Sequence, residues 1–442
     1  MKLYLDYKKL LISLILLVLS LTIPIAFSYA QTVLDLQNKI NQKDSEMAKL
    51  EKEIKTYQTE LDNIGQQKNS LSKSIKQLDL TRKKLVADIN VTQIKIDKTN
   101  LAIKSLSFDI GVKENTITNH IESIKLWIRY TNEFGRSGIL ETLLSRNDFM
   151  AIWNDMDNIA TVGEKIRKNL IKLKEIKGEL EDTRKKTIDA KNELTALRAK
   201  LSDQQKIVIQ NSNEKNKLLK QTKNNEANYQ KLLKDQLAKK EVFEKELRDY
   251  EAQLRFILDP SKLPNAGVLS WPLEKIFVTQ MFGRTVDSKR LYASGSHSGV
   301  DFQASIGTPV KSMAEGIVLG TGDTDATCVG TSFGKWVFIK YNNGLASAYG
   351  HLSLVKTFEG QKVTRGEIVA YSGNTGHTTG PHLHVAVYAG NAVSVQNRPS
   401  TTCGGKIYTM PIAPIAAYLD PLYYLPKLPN QLISPSGQLS HD

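Results

Sequence analysis

Five ionisable residues in three short motifs stand out near the C-terminal end of this 442-residue chain. His297 and Asp301 lie four apart, His351 follows a Tyr-Gly pair, and His382 and His384 flank a single leucine. Histidine is scarce, seven in all. That four of them fall in this set argues against a scatter of packing residues. Two imidazoles and a carboxylate can hold a zinc ion, which leaves two further imidazoles for proton transfer. Such an inventory suits a hydrolytic metal site. Any one of the motifs alone would read more simply as a hydrogen-bonded structural histidine.

The surrounding residues say which elements must position these groups. His382 enters the strand pattern Val385, Ala386, Val387, Tyr388. Strand residues two apart share a face, so His382 and His384 meet the same space and Leu383 faces away. Gly376, Gly380 and Pro381 form the turn leading in. Around His297, Ser294, Gly295 and Gly299 disfavour a helix. A loop feeding a strand is expected instead, with Asp301 reaching back toward His297. Further β-branched runs, Trp336 to Tyr341 and Glu367 to Tyr371, end in glycine-rich turns. This punctuation predicts an antiparallel β domain over 268–425.

Upstream the text is helical. From Leu36 to Ile124 a heptad register runs almost unbroken, with Ile40, Met47, Ile54 and Leu61 continuing to Ile103, Ile110 and Ile117. Held in one helix, it would reach on the order of 130 Å as part of a left-handed coiled coil. A looser register runs from Ile159 to Leu258 and includes Tyr229, Phe243 and Tyr250. Its polar stretch, Asn211 to Asn228, is expected to be its most mobile part. Between the two coils, residues 127–158 crowd aromatic and apolar side chains around Gly135 and Gly138. This segment reads as a small helical insertion at the tip of an antiparallel hairpin. The fold class is therefore α+β multi-domain: a long antiparallel coiled-coil hairpin over 31–259, a linker at 260–267 rich in Pro and Gly, and a compact antiparallel β domain. A frayed tail is expected over 426–442.

Residues 1–30 read as an export signal. Lys2, Lys8 and Lys9 precede an uncharged apolar run from Leu10 to Phe27, and Ser28 and Ala30 place small residues at the cleavage positions. An uncleaved membrane anchor is the alternative. Either way the rest of the protein is expected outside the cytoplasm, in periplasm, cell wall or medium. There Cys328 and Cys403 could bridge or remain two inert thiols. The formal charge is +14. Most of it lies on the helical part, where a solvated coiled-coil exterior or an anionic wall polymer accounts for it. No basic cluster with stacking aromatics points to nucleic acid.

With these motifs in place, residues 268–425 resemble the lysostaphin/LytM-type zinc metallopeptidase domain. The resemblance rests on Phe282-Gly283-Arg284, on His297 with Asp301, on Gly350-His351-Leu352-Ser353 and on Thr379-Gly380-Pro381-His382-Leu383-His384. It implies a groove holding Zn2+ through His297, Asp301 and His384. It also implies His351 and His382 as the catalytic pair, and peptide bonds of peptidoglycan stem peptides or cross-bridges as the substrate. One departure concerns the residues after the histidine pair, where the family usually carries an aromatic and an acid. Here Val385 and Ala386 stand, so an expected carboxylate behind a ligand is missing. The extra His377 matches no ligand position and reads as groove-lining or surface. The helical region resembles EnvC- and PcsB-type cell-division proteins. That implies work at the septum with an FtsE–FtsX-type membrane complex. The hairpin's length, its weak second register and the short Pro-containing linker point to it as a regulator of access to the groove.

Two functions compete on this reading: a zinc endopeptidase of the cell wall, and a non-enzymatic activator of a separate amidase. Activators of this kind have lost ligands or catalytic histidines, whereas all five positions are intact here. A scaffold built only around its coiled coil would have no use for them.

Overall fold

The computed structural model describes residues 35–36, 38–61, 63–64, 70–136, 149–254, 258–285, 296–378, 380–429 and 432–434. The export signal lies outside the described residues, as does the centre of the helical insertion. Among the described residues no helix is long and apolar enough to cross a membrane. The chain forms two compact units. One comprises the chain up to Glu51 with Asn90–Leu201, the other Lys52–Ile89 with Ser202–Asp442.

The first unit is helical. It holds parts of α1 (residues 38–61), α2 (Leu71–Arg136) and α3 (Phe149–Thr222). His120 Nδ1 donates to Asn169 Oδ1 at 2.6 Å, Arg184 pairs with Glu114 at 2.8 Å, and Thr183 donates to Asp109 at 3.3 Å. From Asp109–Thr183 through Lys113–Glu179 to His120–Asn169 the α3 partner descends as the α2 residue ascends, so the expected antiparallel pairing is present. The uninterrupted coil expected over 36–124 is not. Ser70 caps a new helix, its Oγ accepting from Lys73 N at 3.1 Å, and Lys98 of α2 pairs with Asp44 of α1. A straight helix would hold those two residues about 80 Å apart. The chain therefore reverses between α1 and α2. The polar run Gln66 to Ser70, with Lys68 at a seam position, offers nothing to carry the seam through.

In the second unit α3 ends at Lys223 and Asn224, both at positive φ (51° and 53°). Asn225 then caps α4 (Glu226–Gln253), its side chain accepting from Ala227 N and Asn228 N at 2.9 and 3.2 Å. The stretch expected to be the most mobile part of one coil runs from the last turns of α3, where Asn211 and Thr222 are buried, through the break at Lys223–Asn225 into α4.

Among the described residues twelve strands follow: β1 (Val278–Gln280), β2 (Val300–Gln303), β3 (Pro309–Lys311), β4 (Gly316–Asp323), β5 (Lys335–Tyr341), β6 (Leu345–Val355), β7 (Lys362–Val363), β8 (Ile368–Ser372), β9 (His382–Ala389), β10 (Ser394–Pro399), β11 (Ile407–Ile412) and β12 (Tyr418–Leu419). The main sheet runs β1-β2-β9-β6-β5-β4-β7, with β12 on β9 and β8 joining β6 to β3. A β10–β11 hairpin lies apart. Every pairing is antiparallel, as expected. Trp336, Phe338, Tyr349, Leu383, Val385 and Tyr388 are fully buried at the centre.

Three features bind this sheet to its flanks. Leu85 of α2 and Ile207 of α3 pack with Ile306 and Tyr371, and Asp203 receives both the Tyr371 hydroxyl (3.1 Å) and Lys356 (2.8 Å). Cys328 and Cys403 form a disulfide between the loop after β4 and the β10–β11 turn. The tail is not frayed throughout, because Ser434 N donates to Val278 O at 2.8 Å.

Candidate metal centre

The site is assembled across adjacent strands. Register places Asp301 of β2 opposite His384 of β9, and Gly350 of β6 opposite His384 on the other side. His297 sits just before β2, fixed by reciprocal backbone bonds to Gly283 at 2.8 and 2.9 Å. That pairing gives the Phe282-Gly283-Arg284 segment its local role. Leu383 points into the core, fully buried, and both flanking histidines point the other way.

His297 Nδ1 contacts Met281 O at 3.0 Å, which turns its Nε2 toward the cluster. That Nε2 lies 3.1 Å from His384 Nδ1 and 3.3 Å from Asp301 Oδ1. His384 Nδ1 is 2.8 Å from the same oxygen. These three ligand atoms all lie within 4.8 Å of one another, on three buried residues. Two ring nitrogens and one carboxylate oxygen converging in this way fit a zinc ion with a fourth position open.

The packing requires this arrangement. A Cβ on Gly299 would sit 2.4 Å from Val385 O and 2.8 Å from the His384 ring, so only glycine lets that ring lie where it does. Phe333 covers its other side, with ring centroids 5.5 Å apart. His384 Nε2 is buried with no partner. The missing carboxylate noted in the sequence has this physical outcome: Val385 and Ala386 are core residues, and nothing in their place receives that nitrogen.

His351 and His382 stand beside the ligand group, their ring centroids 4.6 Å apart. Each donates through Nδ1 to a backbone carbonyl at 2.8 Å, His351 to Thr375 and His382 to Gly380. Each therefore keeps Nε2 for proton exchange, and His382 Nε2 is 3.6 Å from Asp301 Oδ1. Burial and the neighbouring His382 and His384 hold the His351 imidazole well below its usual range. Burial alone would raise the Asp301 carboxyl. The charges of His297 and His382 and hydrogen bonds from His297 and His384 outweigh it and hold Asp301 well below the carboxylate range. His377 lines the same cavity, and burial lowers its pKa to about 3.

The opposite wall of the cavity was not expected. It comes from α4, through Lys240, Phe243, Glu244, Leu247, Arg248 and Glu251. Phe243 belongs to the β-domain core and Tyr250 packs against it. The apolar positions that heptad spacing assigns to a coiled-coil seam thus face the sheet instead. Glu246 accepts five hydrogen bonds, 2.8–3.2 Å long, from the Ser400, Thr401 and Thr402 hydroxyls and the Thr401 and Thr402 amides. Tyr418 donates to Glu251 at 2.8 Å, and the Arg398 guanidinium stacks on the Tyr250 ring.

Residues 295–396 match Peptidase family M23. Over 88 residues the chain is 42% identical to the peptidoglycan DD-endopeptidase ShyA of Vibrio cholerae, covering 20% of this chain and 19% of that protein. Over 91 residues it is 36% identical to the glycyl-glycine endopeptidase ALE-1 of Staphylococcus capitis, covering 20% and 24%. The catalytic domain of lysostaphin from Staphylococcus simulans aligns at 28% identity and a TM-score of 0.23, covering 30% of this chain and 86% of that one. The chain spans about a fifth of the length of the first curated relatives it matches.

Proposed function

We propose that this chain, which carries a Peptidase family M23 domain at its C-terminal end, is an exported zinc endopeptidase that hydrolyses peptide bonds in peptidoglycan stem peptides or cross-bridges. The observation that carries this reading is the convergence of His297, Asp301 and His384 ligand atoms beside two histidines with bare Nε2 atoms. Zinc held by those three residues supplies Lewis acidity to the scissile carbonyl. Of His351 and His382, one takes a proton through Nε2, and the other, once protonated, donates through Nε2 to the developing oxyanion. Their Nδ1 bonds to fixed carbonyls set both rings in advance, so little reorganisation is needed at the moment of reaction. The printed names of the relatives, a peptidoglycan DD-endopeptidase and a glycyl-glycine endopeptidase, agree with a wall peptide as substrate.

The second element of the proposal is restraint. Helix α4 walls the cavity and must move before a polymer strand can lie across the site. The helices upstream of α4 are the part on which an FtsE–FtsX-type membrane complex would pull, which would place the enzyme in cell division or wall remodelling. The competing reading, a non-enzymatic amidase activator, gives no role to a complete ligand set. Zinc-loaded mature protein on isolated peptidoglycan, with products identified by mass, separates the two. New amino termini within stem peptides or bridges support the peptidase. Intact stem peptides released only when an amidase is added would overturn it.

A further inference from the structure

His351 stands in an unfavourable backbone conformation for a residue with a side chain, at φ +60°. Such a residue persists only where its surroundings over-determine it. Two loops do so. The loop after β4 receives the His351 amide, which donates to Phe333 O at 2.7 Å. The loop after β8 receives its imidazole, with Nδ1 donating to Thr375 O at 2.8 Å.

One side chain ties these loops together. Asp325 Oδ1 accepts from Gly330 N at 2.7 Å, within the first loop, and Asp325 Oδ2 accepts from Gly376 N at 2.7 Å, in the second. The backbones meet there without side chains. A Cβ on Gly376 would lie 2.2 Å from Gly334 N, and one on Gly334 would lie 2.3 Å from Gly376 N. His377 N adds a bond to Ser332 O at 2.9 Å. Asp325 is itself oriented by its amide, which donates to Asp323 Oδ1 at 3.0 Å. None of the sequence motifs includes Asp325.

We propose that Asp325 is a positioning residue for His351. Its carboxylate joins the two loops that grip this histidine, and so fixes the ring with Nδ1 protonated and Nε2 turned to the reacting atoms. This rests on the hydrolytic reading above and adds a residue to it. Thr375 is also held independently, its Oγ1 donating to Leu352 O at 2.8 Å and accepting from Lys335 N at 2.9 Å. Losing Asp325 should therefore loosen His351 rather than free it.

The test uses the full mature chain, zinc-loaded, as Asp325→Ala and Asp325→Asn. Asparagine keeps one acceptor but turns an NH2 toward the other glycine amide, so it should behave like alanine. The expected result is a kcat lower by roughly 10- to 100-fold, the usual range for groups that orient active-site residues, with KM and zinc content unchanged. Spectra of 15N-histidine-labelled protein should show His351 as the single Nδ1–H tautomer in the parent and as an averaged pair of signals in the variants. An unchanged kcat with an unchanged His351 pattern overturns the proposal. So does loss of zinc along with activity, which would make Asp325 a residue of the fold alone. If the parent hydrolyses nothing, the endopeptidase reading fails, and the His351 signals still decide whether Asp325 sets the ring.

Discussion

Phe243 of α4 lies edge-on to Tyr408 of the β domain, ring centroids 5.0 Å apart at 65°, and is only 1% exposed. The helix that walls the cavity is thereby rooted in the core of the domain it covers. Burying a phenylalanine contributes about 1.5–3 kcal/mol, and an edge-to-face pair adds about 0.5–1.5 kcal/mol. Phe243→Ala should cost roughly 3–5 kcal/mol and expose α4 to protease ahead of the rest of the domain. Limited trypsin digestion followed by mass mapping checks this. Unaltered protection across 226–253 would show that the cover is anchored elsewhere. A fragment starting at residue 268 would lack this aromatic, so point variants are the cleaner test of restraint.

Glu246→Ala should release the outer grip of α4 without touching the core. Hydrogen bonds to a charged group contribute about 1.5–3 kcal/mol each, less where solvent reaches them. A roughly tenfold rise in the initial rate of wall digestion is expected, with melting temperature nearly unchanged. Equal rates for parent and variant would mean that the Ser400–Thr402 seat does not hold the cover closed.

The cover should respond to pH through Glu251. Burial raises its carboxyl to about 7, against hydrogen bonds from Tyr418 and the Ala413 amide and the charge of Arg248. Seated α4 therefore favours the protonated form. That contribution is complete below the ordinary glutamate value of 4.5 and is lost as pH rises through about 7. Glu246 runs the other way. Burial raises its carboxyl, but hydrogen bonds from Thr402, Thr401 and Ser400 outweigh this and lower it, so its contribution fades in acid. Hydrogen exchange across α4, corrected for intrinsic rates, should show less protection at pH 8 than at pH 6. Glu251→Gln should flatten that difference.

Metal retention separates ligand from proton handler. His297→Ala should remove zinc and hydrolysis together. His351→Ala should keep zinc and lower kcat by roughly 10²- to 10⁴-fold. Metal analysis alongside turnover reads both, and undiminished turnover in His351→Ala would refute its role.

Gly299→Ala should empty the centre without replacing a ligand. The added methyl would meet Val385 O at 2.4 Å and the His384 ring at 2.8 Å, which forces His384 off its position. Zinc content should fall while far-ultraviolet circular dichroism stays at the parent value. Full zinc occupancy would show that the ring has room to shift.

The sheet, and the shared face of His382 and His384, were legible because strand alternation is local. His382 and His384 had to share a face, and the glycine turns had to separate strands. What faces a helix is not local. Phe243 and Tyr250 recur at a heptad interval whether their partner is another helix or a sheet, so the cover read as a coiled-coil seam. The reversal between α1 and α2 was hidden for a similar reason, since Ile54, Leu61 and Ile75 keep one heptad register in the sequence. Asp325 and Glu246 act through amides brought from 51 and about 155 residues away, and no spacing rule reports such partners. The two cysteines fitted a bridge and two thiols equally well until the fold brought them together.

That bridge joins two neighbourhoods of the proposed site. Cys403 closes the turn that seats Glu246, and Cys328 closes the loop that carries Asp325. Reduction of the bridge would be expected to loosen both neighbourhoods at once. On the proposed reading, the cover would then be poorly fastened, and so would His351. If the proposed reading holds, oxidation would set the histidine and fasten its cover in the same chemical event.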